Sequence, residues 1–203
     1  MEATELPGLF RCEAMSRAVA AQAIIAETKR LRGGPADEGV YTVHQHIDCP
    51  PEALYEYLLD IRSIEEYTYS MRDFSPVDGT GLYVGEDATD PRTKIYLRIT
   101  GNPEVLTFDY ESAVDQSGDL WMVFCGRVLS AQRVQNRPGA LLMLTTWRHP
   151  NYDRNPYPRL APPGRAWPVS GWPLFHACDI LEIRNLARIV EHRTRSRALA
   201  AGR

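Results

Sequence analysis

The sequence predicts an α+β fold in which a curved antiparallel sheet wraps around a long C-terminal helix, with an extra helix at the N-terminus. Three observations predict it. From Tyr41 to Phe74 an alternating strand stops at a proline pair and runs directly into an amphipathic helix. From about Gly81 to Arg148 only strand patterns follow, separated by short turns. From Leu174 to about Arg193 apolar residues return at helical spacing. That order leaves room for a ligand cavity between the sheet and the helix it grips.

The composition admits this and excludes several other classes. At 203 residues the chain is one domain with an appendage at most, and it can bury a substantial core. Its 44% hydrophobic and 24% charged residues are ordinary for a globular protein. A net charge of −3 provides no overall field for nucleic acid or an anionic membrane. No apolar run approaches the ~20 residues that span a bilayer. Glu2 and Glu5 stand where a secretory signal needs positive charge. Cys12, Cys49, Cys125 and Cys178 are scattered without CxxC spacing, as in a reduced, cytoplasmic protein with mostly buried thiols.

Along the chain, Leu9 to Arg32 reads as an Ala-rich helix with Ala14, Ala18, Ala21 and Ile25 on one stripe. Gly33, Gly34 and Pro35 stop it, and a polar linker follows. This helix is expected outside the sheet or against a second subunit, so a homodimer is an open alternative. In the strand Val40–Ile47, Tyr41, Val43, Gln45 and Ile47 face one way and Thr42, His44 and His46 the other. Asp48 is expected to cap the next helix, and Pro50 or Pro51 suits its first turn, where a missing N–H costs nothing. Leu54, Tyr57, Leu58 and Ile61 form its buried face, and residues 63–74 are expected as a second short helix.

Strands are expected at Gly81–Ala88, Lys94–Thr100, Leu106–Glu111, Leu120–Val134 and Ala140–Arg148, with a bulge or sharp bend at Gly126. Short turns between them imply an antiparallel meander. Residues 149–173 contain seven prolines, which forbid a regular element and suggest a lid or linker. The last helix carries the stripe His176, Ile180, Ile183, Ala187 and Val190. The division is therefore 1–39, N-terminal helix and linker; 40–193, gripping domain with the 149–173 insertion; and 194–203, a solvated or frayed basic tail.

This order resembles the START-like or SRPBCC superfamily, whose helix-grip fold wraps a seven-stranded sheet around a long C-terminal helix. The residues that carry the resemblance are the strand ending in Ile47, the junction Cys49-Pro50-Pro51-Glu52, and the helix Ala53 to Asp60. Members show an h-x-A-P-x-E-x-V-W-x-x-L-x-D pattern there. Cys49 stands where Ala or Ser is usual, Tyr55 falls near the aromatic position, Asp60 matches the aspartate, and Tyr67 sits where a Trp often follows. The resemblance extends from about Val40 to Arg193, with the N-terminal helix and the proline-rich insertion as departures. It implies a fold, while the superfold hosts cyclases, hydratases, lipid carriers, hormone receptors and cochaperones.

His176 is the leading candidate for chemistry, because its stripe turns it toward the cavity and imidazole titrates near neutrality. Asp179, one turn on, can orient it; the alternative is a histidine hydrogen-bonded to the preceding loop. Arg127 sits in the apolar strand Trp121–Val128, so it is exposed, paired, or reaching a ligand oxygen. The resemblance to polyketide cyclases implies an arginine and tyrosines holding a polyketone, for which Arg127 and Tyr110 are the matching residues. Simple core packing is the other reading of Tyr110. Trp147, Tyr152, Trp167 and Trp172, with Asp179, are candidate substrate-binding residues around the insertion, where aromatics would close over a flat ligand; an oligomer contact is the competing role. His44 and His46 share a strand face but lie opposite the buried one, so no metal site is expected.

Two functions follow. The first is a cofactor-independent cyclase/dehydratase-like enzyme acting in the cytoplasm on a hydrophobic, polyketide-like small molecule, with no nucleic acid or membrane partner. The second is a carrier or self-resistance protein with the same cavity and no turnover. Two polar groups converging deep in the cavity favour the enzyme, and a wholly apolar lining favours the carrier.

Overall fold

A computed structural model describes residues 6–32 and 39–201. Helix α1 (Arg17–Arg32) is followed by strand β1 (Val40–Ile47) and two helices, α2 (Pro51–Leu59) and α3 (Ile61–Tyr67). The sheet then continues with β2 (Met71–Pro76), β3 (Leu82–Asp87), β4 (Asp90–Asn102), β5 (Thr107–Val114) and β6 (Met122–Ser130). Helix α4 (Ala131–Gln135), β7 (Ala140–Trp147), a 3-10 turn (Pro150–Tyr152) and helix α5 (Trp172–Ala201) complete the chain. All seven strands form one antiparallel sheet in the order β1-β7-β6-β5-β4-β3-β2. This is the helix-grip architecture, with α5 held in the curve of the sheet.

Period-two burial in β1 matches the sequence pattern: Tyr41, Val43 and Ile47 are buried, and His44 is exposed. Pro51 opens α2, where its missing donor loses no bond. Asp48 does not cap that helix; its backbone N–H bonds Glu191 at 3.1 Å instead. Asp60 is the working cap, accepting from the Arg62 N–H at 3.0 Å to start α3. The second helix ends at Tyr67, and Met71–Phe74 are strand, because the edge of β3 supplies their backbone partners. Gly126 makes no bulge: β5 and β6 stay in register, and the Phe108 ring lies over the glycine where a Cβ would stand. The apolar run there ends in α4 rather than continuing as strand to Val134.

The N-terminal helix starts eight residues later than expected. Asn185, buried on α5, bonds Phe10 through both N–H (3.1 Å) and C=O (2.9 Å), so that backbone is satisfied without a helical turn. The buried stripe is Ala20, Ile24 and Thr28; Ala14, Ala18 and Ile25 are exposed. The expected stop at Gly33–Pro35 lies outside the described residues. Helix α1 packs on α5, where Cys12, Ala20, Ile24, Ala177, Cys178 and Leu181 form a second apolar cluster. Helix α5 is consequently buried on two faces, with Ile180, Ile183, Ala187 and Val190 toward the sheet. It also runs through residues expected as a tail, to Ala201, with an exposed surface beyond Arg195.

Candidate functional site

A cavity of about 100 Å³ lies between the concave sheet face and α5. Its floor is apolar: Ile95 and Leu97 of β4, Val114 of β5, Met122 and Phe124 of β6, and Leu144 of β7. These residues line up because alternate positions of successive strands share one face. Pro168 and Val169 of the proline-rich segment close one side, and Arg17 bonds Asp87 at 2.9 Å on another. A pocket of ~150 Å³ takes one benzene, so this space suits a single small ring unless the surrounding segments move.

The roof is acidic. Asp179 and Glu182 project from α5 three residues apart, and both are more than nine-tenths buried. Tyr41 donates its hydroxyl to Asp179 Oδ2 at 2.5 Å, and the Tyr69 N–H reaches Glu182 Oε1 at 3.3 Å. Burial pushes the Asp179 carboxyl up to about 7, against a smaller downward pull from the Tyr41 hydrogen bond. Burial raises Glu182 well above the carboxylate range, and the Asp179 charge raises it further. The neighbouring cations are matched elsewhere: Arg17 pairs with Asp87, and Arg72 with Glu13. Around neutrality Asp179 is therefore poised between its two forms, and Glu182 is shifted in the same direction. Buried carboxyls with raised proton affinity in a cavity are the chemistry that proton transfer uses.

Hydroxyls complete the lining. Tyr67 lies in the lining beside Tyr110, which donates to the Leu58 carbonyl at 2.6 Å. Tyr110 is thus in the cavity wall as anticipated, with its proton committed to the backbone. Tyr69 and Cys178 share the lining, and burial raises the Cys178 thiol well above its ordinary value.

The other anticipated residues are distributed differently. His176 is buried on α5 but stacks on the Tyr41 ring (centroids 4.1 Å, 26° between planes) and does not line the cavity. Arg127 is exposed on the outer face, since Met122 and Phe124 fix the inward parity of β6 and Arg127 has the opposite one. Tyr152 and Trp172 are core: Tyr152 meets Trp121, Trp172 and Phe175 edge-on, filling one end of the fold beside the cavity. Trp167 packs against that core and donates to the Asn151 carbonyl at 2.8 Å. Trp147 is half-exposed at the end of β7. His44 and His46 point away from the cavity, with His46 Nε2 at 2.8 Å from the Pro138 carbonyl. Among the described residues, no three His, Cys, Asp or Glu side chains come together as metal ligands.

Glu182 and Tyr41 were absent from the sequence-derived set. For Glu182 the sequence does carry a signal, a second carboxyl three residues after Asp179 and so on the same helical face. A second missed feature holds the insertion in place. Arg165 donates to Thr93 Oγ1 and Asp115 Oδ1, each at 2.9 Å, and its guanidinium and the Asp115 carboxylate are nearly fully buried.

No family model matches the sequence, and no curated protein matches it. Solved structures match its fold. Protein TTHA0849 from Thermus thermophilus aligns with a TM-score of 0.50 at 14% identity, over 76% of this chain and 99% of that one. The Zhui aromatase/cyclase from Streptomyces sp. R1128 aligns at 0.47 and 16% identity, over 80% and 97%. A START superfamily protein from Mycobacterium smegmatis aligns at 0.47 and 9% identity, over 77% and 97%. The chain has the helix-grip fold, a seven-stranded antiparallel sheet around a long C-terminal helix. At these identities the likeness is one of fold alone. Among the described residues no helix is long and apolar enough to cross a membrane.

Proposed function

We propose that the protein is a cofactor-independent enzyme of the cyclase/dehydratase kind, moving a proton on a small hydrophobic carbonyl compound in the cytoplasm. One observation carries the reading: two buried carboxyls three residues apart on α5 converge on an apolar cavity, and burial raises both, Asp179 to about 7. Ionised Asp179 takes the proton on the carbon next to the carbonyl. Protonated Glu182 donates a hydrogen bond to the oxygen that gains charge, as a neutral acid in an apolar site can. In a dehydration the carbon–hydrogen electrons form the new double bond, the carbon–oxygen bond breaks, and the Glu182 proton leaves with the hydroxyl as water. In a ring closure the enolate carbon attacks a second carbonyl, whose π electrons move onto its oxygen and take up the Glu182 proton, and the cavity walls supply the folded geometry. His176 and Arg127 have no direct part in this scheme. A larger, polyketide-like substrate requires the proline-rich segment to move.

The test uses deuterium exchange. A small enolisable ketone such as cyclohexanone is incubated with the protein in D2O, and loss of its α-proton signal is followed by NMR. The wild-type protein accelerates exchange, and Asp179→Asn lowers the rate by about 10²-fold or more while the protein stays folded. Glu182→Gln lowers it less, because the amide still donates. Binding of the ketone without any acceleration sinks the enzymatic reading and leaves the carrier.

A further inference from the structure

We propose that Tyr41 is the positioning residue for Asp179, held by the ring faces of His176 and Trp172. The inference rests on the proton-transfer reading and adds what sets the pH range of that site. Tyr41 lies on β1, at the opposite end of the chain from α5, yet its hydroxyl donates to Asp179 Oδ2 at 2.5 Å. Its ring has little freedom to move. His176 stacks on it at 4.1 Å, Trp172 lies 5.0 Å away at 44°, and Tyr41 itself is 6% exposed. The hydroxyl is thereby aimed at one carboxylate oxygen, leaving the other for the cavity.

The same bond favours the ionised form of Asp179, since a hydroxyl donates more strongly to a carboxylate than to a neutral acid. Burial works the other way. The groups around Asp179 are few. Its own helix brings His176, Cys178 and Glu182, β1 brings Tyr41, and the proline-rich segment brings Tyr152. Tyr67, Tyr69 and Tyr110 lie across the cavity, with Asp87 and Arg17 at its rim and Arg72 beyond. Of these, Tyr41 is the hydroxyl bonded to Asp179 among the described residues. Without it the carboxyl would hold its proton to higher pH, and the base would be present only under more alkaline conditions. The stacked ring of His176 thus supports Tyr41.

Tyr41→Phe keeps the stacked ring and deletes only the hydroxyl. The titration midpoint of Asp179, followed by the 13C signal of its carboxyl carbon, is expected to rise by about one pH unit or more. The ascending limb of ketone exchange against pH should move with it. The deficit is then about tenfold on the limb and disappears at alkaline pH, which a general loss of structure would not reproduce. Trp172 and His176 both face the ring, so His176→Ala, which removes one of them, should move the midpoint in the direction of Tyr41→Phe. An unchanged or lowered midpoint in folded Tyr41→Phe overturns the proposal. So does a His176→Phe protein that loses exchange at every pH with Asp179 titrating normally, since His176 would then act on the substrate itself. Absence of exchange in the wild-type protein, with the Asp179 midpoint still moving in Tyr41→Phe, removes the enzymatic reading and retains the role of Tyr41.

Discussion

Replacing Asp179 by Asn should stabilise the protein at alkaline pH, although it removes the group assigned as the base. In an unfolded chain an Asp carboxyl ionises at about 3.9. In the cavity burial moves it to about 7. The folded state therefore binds more protons than the unfolded state between these values, and wild-type stability falls as pH rises through that window, levelling off above it. About three pH units at ~1.4 kcal/mol each amount to roughly 4 kcal/mol. The amide introduced by Asp179→Asn carries no charge to desolvate, and its oxygen can still accept from the Tyr41 hydroxyl. The difference in unfolding free energy, variant minus wild type, should be small at about pH 4.5 and approach about 4 kcal/mol by about pH 8, or roughly 10 °C in Tm for a chain of this length. Urea unfolding of both proteins at several pH values measures it, with groups common to both cancelling in the difference. A difference that stays flat within ~1 kcal/mol, or a variant less stable at alkaline pH, refutes the reasoning, because Asp179 would then not be held in a costly environment.

Two further substitutions test the frame around the site. Gly126→Ala places a methyl group where the Phe108 ring lies across the β5–β6 pair, and overpacking should cost about 1–3 kcal/mol in chemical denaturation, relieved in part by adding Phe108→Leu. Arg165→Met leaves the Asp115 carboxylate buried without its partner, which should cost about 3–5 kcal/mol and release the proline-rich segment to trypsin at exposed Arg154 and Arg159. Unaltered cleavage there would mean the ion pair does not hold the segment down.

Legibility followed the strength of the periodic signal. The strand at Val40–Ile47 could be read because it alternates between apolar and polar positions, and the last helix because large aliphatic residues recur at helical spacing from Ile180 to Val190. In Ala-rich α1 the contrast between faces is weak, so the pattern points to Ala18 and Ile25 where the structure buries Ala20 and Ile24. Its start was hidden for another reason: Asn185, 175 residues away, satisfies the Phe10 backbone. Met71–Phe74 became strand through an edge partner that no local pattern announces. Within the site, Asp179 enters the sequence reading as a neighbour of His176, and in the structure Asp179, not His176, lines the cavity. A helical stripe places a side chain on a face, but whether it meets a cavity or another ring depends on what packs there, and Tyr41 already covers His176. The aromatics around the insertion show the same limit: composition marks Tyr152 and Trp172 as apolar anchors without saying that they fill the core. Arg127 was decidable from parity alone, since it opposes Met122 and Phe124 on the same strand.

The central claim is that a cavity carboxyl changes its protonation near neutrality, and one titration tests it most directly. The carboxyl carbon of Asp179, assigned by comparison with the Asp179→Asn protein, is followed by 13C NMR from about pH 3 to about pH 9 in the wild-type protein, a range that brackets both the ordinary and the raised carboxyl values. The structure predicts a midpoint of about 7. A midpoint near the unperturbed value of about 3.9 would contradict it, leaving an ordinary ionised aspartate with no special fitness for proton transfer.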